Sequence, residues 1–142
     1  MNQIGVRFLS AVVVLLAMTS VPAAASEFII QPAIVSTTLR WSVQIGTETA
    51  QIDPTLYLQR GQTYSFTVNT STSHPFYFKT VKGSGSADAY PDGVSVALPV
   101  TNGTPFTFDV PDDAPDSLFY DCSVHSSMAG NIKVVVFRNG FD

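Results

Sequence analysis

The sequence predicts an all-β domain, a sandwich or barrel of about eight short strands, on three observations. Apolar and polar residues alternate over short runs and do not recur at helical spacing. Clusters of Gly, Pro, Asn and Asp separate those runs. The chain has 142 residues, the length of one domain, and shows no internal repeat or linker.

Residues 1–25 stand apart from the fold. Arg7 is their only charge, and the apolar run Phe8–Met18 follows it. Val21-Pro22-Ala23-Ala24-Ala25-Ser26 then offers the small residues a signal peptidase reads. This predicts a secretory signal peptide, residues 1–25, cleaved after Ala25, and a domain of residues 26–142. An uncleaved N-terminal anchor is the alternative, but no stop-transfer flank follows and the run is short for a span. The formal charge is −4; without the +1 of Arg7 the domain carries −5. An acidic domain is poorly suited to nucleic acid, and no apolar run long enough to cross a bilayer remains. The expectation is an exported monomer, periplasmic or secreted, with no nucleic-acid partner and no membrane span after cleavage.

The strands follow in order. A first is expected over Phe28–Val35, and Leu39–Ile45 alternates cleanly. Leu56–Gln59 ends at the turn-prone Arg60-Gly61, and Tyr64–Val68 alternates again. Pro75–Lys79 is rich in aromatics. Phe106–Val110 closes on Pro111-Asp112-Asp113-Ala114-Pro115-Asp116, whose acidic residues read as a solvated turn because no calcium-loop spacing is present. Leu118–Cys122 and Ile132–Phe137 complete the set. Pro54 and Pro105 stand at strand starts, where no ladder donor is lost. Val81–Gly103 is the least regular stretch, and Val94–Leu98 is a candidate for one more short strand.

The metal-capable side chains of residues 26–142 are few. There are two histidines, His74 and His125, one cysteine, Cys122, and one methionine, Met128. Exported proteins usually pair their cysteines, so a lone thiol calls for protection by a metal or by burial. Cys122, His125 and Met128 lie within seven residues, in Cys122-Ser123-Val124-His125-Ser126-Ser127-Met128. Cys122 ends one predicted strand and Ile132 lies near the start of the next, so the intervening loop must double back. All three side chains can then address one ion, and Gly130 gives the chain freedom just past the methionine. A second histidine must come from elsewhere. His74 heads another strand after the polar run Asn69–Ser73 and in a sandwich can reach the same end. Two imidazoles and a thiolate with a weak axial thioether form the ligand set of electron-transfer copper. Zinc fits less well, because methionine is a poor zinc ligand. Each residue alone has a plainer reading: Cys122 as a buried thiol, His125 and His74 as ordinary histidines, Met128 as core filler.

Tyr120-Asp121-Cys122-x-x-His125-x-x-Met128-x-Gly130-x-Ile132-x-Val134 resembles the C-terminal ligand loop of the cupredoxins, the plastocyanin–amicyanin–pseudoazurin group, in its short form. His74, followed by aromatic strand residues, matches the first histidine of that family. The resemblance implies a Greek-key sandwich, one type 1 copper ion on His74, Cys122, His125 and Met128, and one-electron transfer. It also implies a transient interface with redox protein partners near His125, for which Val124, Pro75 and Ala129 are the candidate apolar surround. The net charge of −5 points to partners with a basic face. Two positions depart from the family pattern. Pro75 stands where many members have an Asn that braces the ligand loop, and Ser126 stands where amicyanin-like loops carry Pro. A copper chaperone or buffer is the alternative function, and an adhesion-like structural sandwich a third. An enzyme is not expected: further copper sites need histidines this chain lacks, and no Gly-x-Ser-x-Gly elbow is present.

Overall fold

The computed structural model describes residues 26–136; the predicted signal peptide, residues 1–25, lies outside them. Nine strands run in the order β1 Glu27–Val35, β2 Thr38–Ile45, β3 Gln51–Ile52, β4 Leu56–Gln59, β5 Thr63–Val68, β6 Phe76–Lys79, β7 Phe106–Asp109, β8 Ser117–Cys122 and β9 Ala129–Val135. They form a five-stranded sheet, β3-β2-β1-β5-β7, and a four-stranded sheet, β4-β9-β8-β6. Both sheets are mixed, with β1 parallel to β5 and β4 parallel to β9. The fold is the all-β sandwich expected, and among the described residues no helix is long and apolar enough to cross a membrane.

Alternation builds the core. Phe66 and Val68 of β5, Phe76 and Phe78 of β6, Phe106 and Phe108 of β7, and Leu118, Tyr120 and Cys122 of β8 all reach the same buried cluster. Phe66 meets Phe78 edge-on at 5.2 Å and stacks on Phe106 at 5.6 Å, and Phe78 stacks on Phe108 at 4.9 Å. Each such ring, fully buried, contributes about 1.5–3 kcal/mol of transfer free energy. Trp41 of β2 packs edge-on against Phe76 at 5.7 Å and carries the core to the end of the sandwich where Cys122 lies.

Three sequence expectations need adjustment. The two-residue strand β3, which pairs with β2 at Ser42 and Val43, is new. Val94–Leu98 forms no strand: Val94 bridges to Phe108, but Thr107 N–H turns to the Ser95 hydroxyl, and that side chain takes the place of a further ladder bond. The last strand starts at Ala129, not near Ile132, because the β8–β9 ladder runs up to the pair Asp121↔Ala129. The ligand loop is therefore only residues 123–128.

Strand directions bring the key loops together. β5 ends at Val68, β6 begins at Phe76, β8 ends at Cys122 and β9 begins at Ala129. The antiparallel pair Phe76↔Cys122 sets the 69–75 loop beside the 123–128 loop. The parallel pairing of β1 with β5 brings the tip of the β1–β2 hairpin to the same end.

Candidate metal centre

The loop that delivers His74 is built by its own polar residues. Thr70 Oγ1 donates to the His74 carbonyl (2.7 Å), and His74 N–H donates to the Ser71 carbonyl (3.0 Å). Phe76 N–H then bonds the Val100 carbonyl (2.9 Å), so the chain leaves His74 straight into β6. The second loop is closed from within. Cys122 N–H donates to the Met128 carbonyl (2.9 Å) and Met128 N–H to the His125 carbonyl (3.0 Å).

The two loops are also joined. Ser123 N–H donates to the Pro75 carbonyl (3.1 Å), and Ser127 Oγ donates to the Leu39 carbonyl on β2 (2.8 Å). A backbone bond at Pro75 thus links the loop of His74 to the ligand loop. The sequence did not single out Ser123 or Ser127, because their partners are backbone carbonyls that no residue identity announces.

The result is one cluster. His74 Nδ1 and His125 Nδ1 face each other at 3.1 Å, and Cys122 Sγ is 3.8 Å from His125 Nδ1. One ligand atom each from His74, Cys122 and His125 fall within 4.8 Å of one another. Met128 belongs to the same loop and, like Cys122, is fully buried, whereas both histidines are half-buried. Burial, with the neighbouring His125 second, lowers the pKa of His74 and favours the neutral imidazole a metal requires. Of the expected apolar surround, Val124 is exposed and Pro75 half-buried, but Ala129 is buried as the first residue of β9 and forms no part of the surface.

These separations can be tested against bond lengths. Zinc, a divalent first-row ion like copper, binds imidazole nitrogen at about 2.0–2.1 Å and thiolate sulfur at about 2.3 Å. Two nitrogens 3.1 Å apart can both lie that far from one point, at an angle of roughly 100°. The 3.8 Å between sulfur and the His125 nitrogen corresponds to roughly 120°. The donor set is mixed and soft, and it suits copper in both oxidation states.

The fold is similar to that of rusticyanin from Thiobacillus ferrooxidans, with a TM-score of 0.51 and 19% identity over 77% of this chain and 76% of that one. A structure of rusticyanin variants is similar at a TM-score of 0.51 and 18% identity, with the same coverage. The McoA multicopper oxidase from Aquifex aeolicus matches 79% of this chain but only 26% of its own length, at 15% identity and a TM-score of 0.45. No family model and no curated protein sequence matches the chain. The chain therefore has the cupredoxin fold, and its His74, Cys122 and His125 group, with Met128 buried in the same loop, fits one type 1 copper ion.

Proposed function

We propose that the protein is an exported, monomeric electron carrier in which His74, Cys122, His125 and Met128 hold one copper ion. The observation that carries this reading is the approach of two imidazole nitrogens and a thiol sulfur to within 4.8 Å, from two loops that the fold ties together. When bound, copper supplies a one-electron couple that no side chain of this chain offers. Cys122 and Met128 are fully buried and the histidines half-buried, which supports a site with a dry inner side and a wet outer one. The loop bonds at Ser123, Ser127 and Met128 hold the donors in one arrangement, so little has to move when the charge changes.

His125 is half-buried between exposed Val124 and Ser126, which supports its ring as the place where a partner approaches. Carrier contacts of this kind are small and transient. Both histidines are used by one site, which leaves none for the additional copper centres of an oxidase. The composition of residues 1–25 supports export, and a mature protein beginning at Ser26 is the expected mass-spectrometric result.

The deciding experiment is a Cu(II) titration of the mature protein. One equivalent is expected to produce intense visible absorption from sulfur-to-copper charge transfer, and Cys122→Ser to abolish it. Voltammetry is expected to show a reversible one-electron wave, with fast exchange between copies. A protein that binds Cu(I) and hands it on without such a wave is a copper buffer, and the carrier reading fails.

A further inference from the structure

On the outer face of a two-layer sandwich, side chains meet water. The outer face of β6 and β8 departs from this. Phe76, Phe78, Tyr120 and Cys122 belong to the core, so alternation turns Tyr77, Lys79 and Asp121 the other way. Yet Lys79 is 1% exposed and Asp121 0%.

The cover is the segment between β6 and Tyr90. It returns alongside β6 through Thr80 N–H to the Asp88 carbonyl (2.9 Å) and Tyr90 N–H to the Phe78 carbonyl (2.7 Å). Between those bonds it crosses to β8. Gly83 N–H donates to Asp121 Oδ2 (2.6 Å), and Gly85 N–H donates to the Ser123 carbonyl (2.8 Å). Lys79 Nζ donates to the carbonyls of Gly83 and Gly85, the latter at 3.1 Å, and stands 3.9 Å from Asp121 Oδ2. Gly83 (φ 141°) and Gly85 (φ 90°) take backbone conformations that side chains rarely allow.

Gly83-Ser84-Gly85-Ser86 has the composition of a flexible linker, with no apolar side chain to dock it. Its attachment is polar, and the buried charges make most of it. Apolar residues of similar volume often support a fold as well as a buried ion pair does, so this pair is better explained by the arrangement it fixes than by stability. What it fixes is a strap whose far end is bonded to Ser123, the residue after Cys122. In the β6–β8 ladder, Tyr77↔Asp121 is the rung next to Phe76↔Cys122.

We propose that Lys79 and Asp121 are positioning residues for the Cys122 sulfur: they clamp the 83–85 strap over the outer face of β8, which holds the Cys122–Ser123 backbone in place and shields it from water. The proposal rests on the reading of Cys122 as the thiolate ligand.

Two variants test it. Lys79→Met with Asp121→Leu removes both charges together and avoids a lone buried ion. Gly85→Pro removes the N–H that reaches Ser123 from an exposed part of the strap, at a φ proline cannot adopt. Cys122 is the only cysteine, so a disulfide-type thiol reagent reports on it alone in the metal-free protein. Each variant that melts cooperatively is expected to label at least tenfold faster than the native chain, and to show an altered copper hyperfine splitting once loaded with Cu(II). Arg60→Ala, which weakens a distant turn, sets the labelling rate due to global opening, and the variants must exceed it. Labelling no faster than that control in a folded variant, with a native hyperfine splitting, overturns the clamp. If the native chain develops no thiolate-to-copper absorption, the carrier reading falls instead, and the labelling comparison still decides the clamp.

Discussion

Gly130 shows how much a single missing side chain can matter. It pairs across the ladder with Tyr120, and a Cβ at this position would overlap the Tyr120 ring. The ring cannot swing aside freely, because its hydroxyl donates to the Pro54 carbonyl (2.6 Å) and its side chain is fully buried. Gly130→Ala is expected to destabilise the protein by about 1–3 kcal/mol, read as a lower denaturant midpoint. The sequence reading assigned this glycine to conformational freedom; its φ is not positive, and close approach is its actual role. The four candidate ligands were legible because they are scarce and three are closely spaced, whereas a residue's contacts across a sheet leave no local trace. His74 carries the second prediction at this scale. Burial first, then His125, lowers its pKa below the ordinary 6.5, so the fold favours the neutral ring. Such a group contributes stability above its unfolded pKa and loses it as pH falls through the lower folded value. The metal-free protein is therefore expected to lose thermal stability below about pH 6.5, and His74→Gln to flatten that part of a melting-against-pH curve.

Among the elements, strands were easy to read and coverings were not. Alternation in Leu39–Ile45, Tyr64–Val68 and Phe106–Val110 marks real strands because each has one face in the core. β3 escaped notice because its two residues are exposed and carry no burial signal. The strap over β6 and β8 was unreadable because alternation says which face a residue takes and not what lies above it. The acidic turn after β7 shows the same limit. Its carboxylates read as solvated, and Asp116 is indeed 91% exposed, but Arg60 at 15% reaches under the turn to the carbonyls of Asp112 (3.1 Å) and Ala114 and to Asp116 (2.5 Å). Backbone carbonyls bonded to a half-buried guanidinium contribute more than a solvent-exposed carboxylate does. Arg60→Ala is expected to cost about 1.5–3 kcal/mol and Asp116→Ala less than about 1 kcal/mol, measured by urea unfolding of the two variants side by side.

At the scale of the whole molecule, charge among the described residues is unevenly spread. The loops at the ligand end, residues 31–39, 69–75, 98–105 and 123–128, contain no Asp, Glu, Lys or Arg. Glu27 begins β1, Glu48 follows β2, Asp109 ends β7, and Asp112, Asp113 and Asp116 lie between β7 and β8, all at the opposite end by strand direction. The strap bonded to Ser123 carries Lys82 and Asp88, charges of both signs, and a partner with a basic face remains part of the proposal and is not set by the fold. Two copies of one acidic chain repel through their net charge, and at about 0.01 M salt the Debye length of about 30 Å lets even distant charges act. The rate of electron exchange between two copies is expected to rise between roughly 0.01 and 0.5 M salt as that repulsion is screened, measured by line broadening in mixtures of the two oxidation states.

The position of β9 within its sheet has a further consequence. The last strand of the described chain lies in the interior of its sheet, between β4 and β8, and its partner β4 is far back in the sequence. A chain still emerging from a ribosome or a translocation pore lacks the strand that joins the two halves of that sheet. Until residues 129–135 arrive, β4 and β8 each present an open edge. Closure of the barrel-like core is a late event, dominated by contacts distant in sequence, which are the slow ones to form. On the export reading proposed above, this order of strands would let the chain cross a membrane before its second sheet is complete.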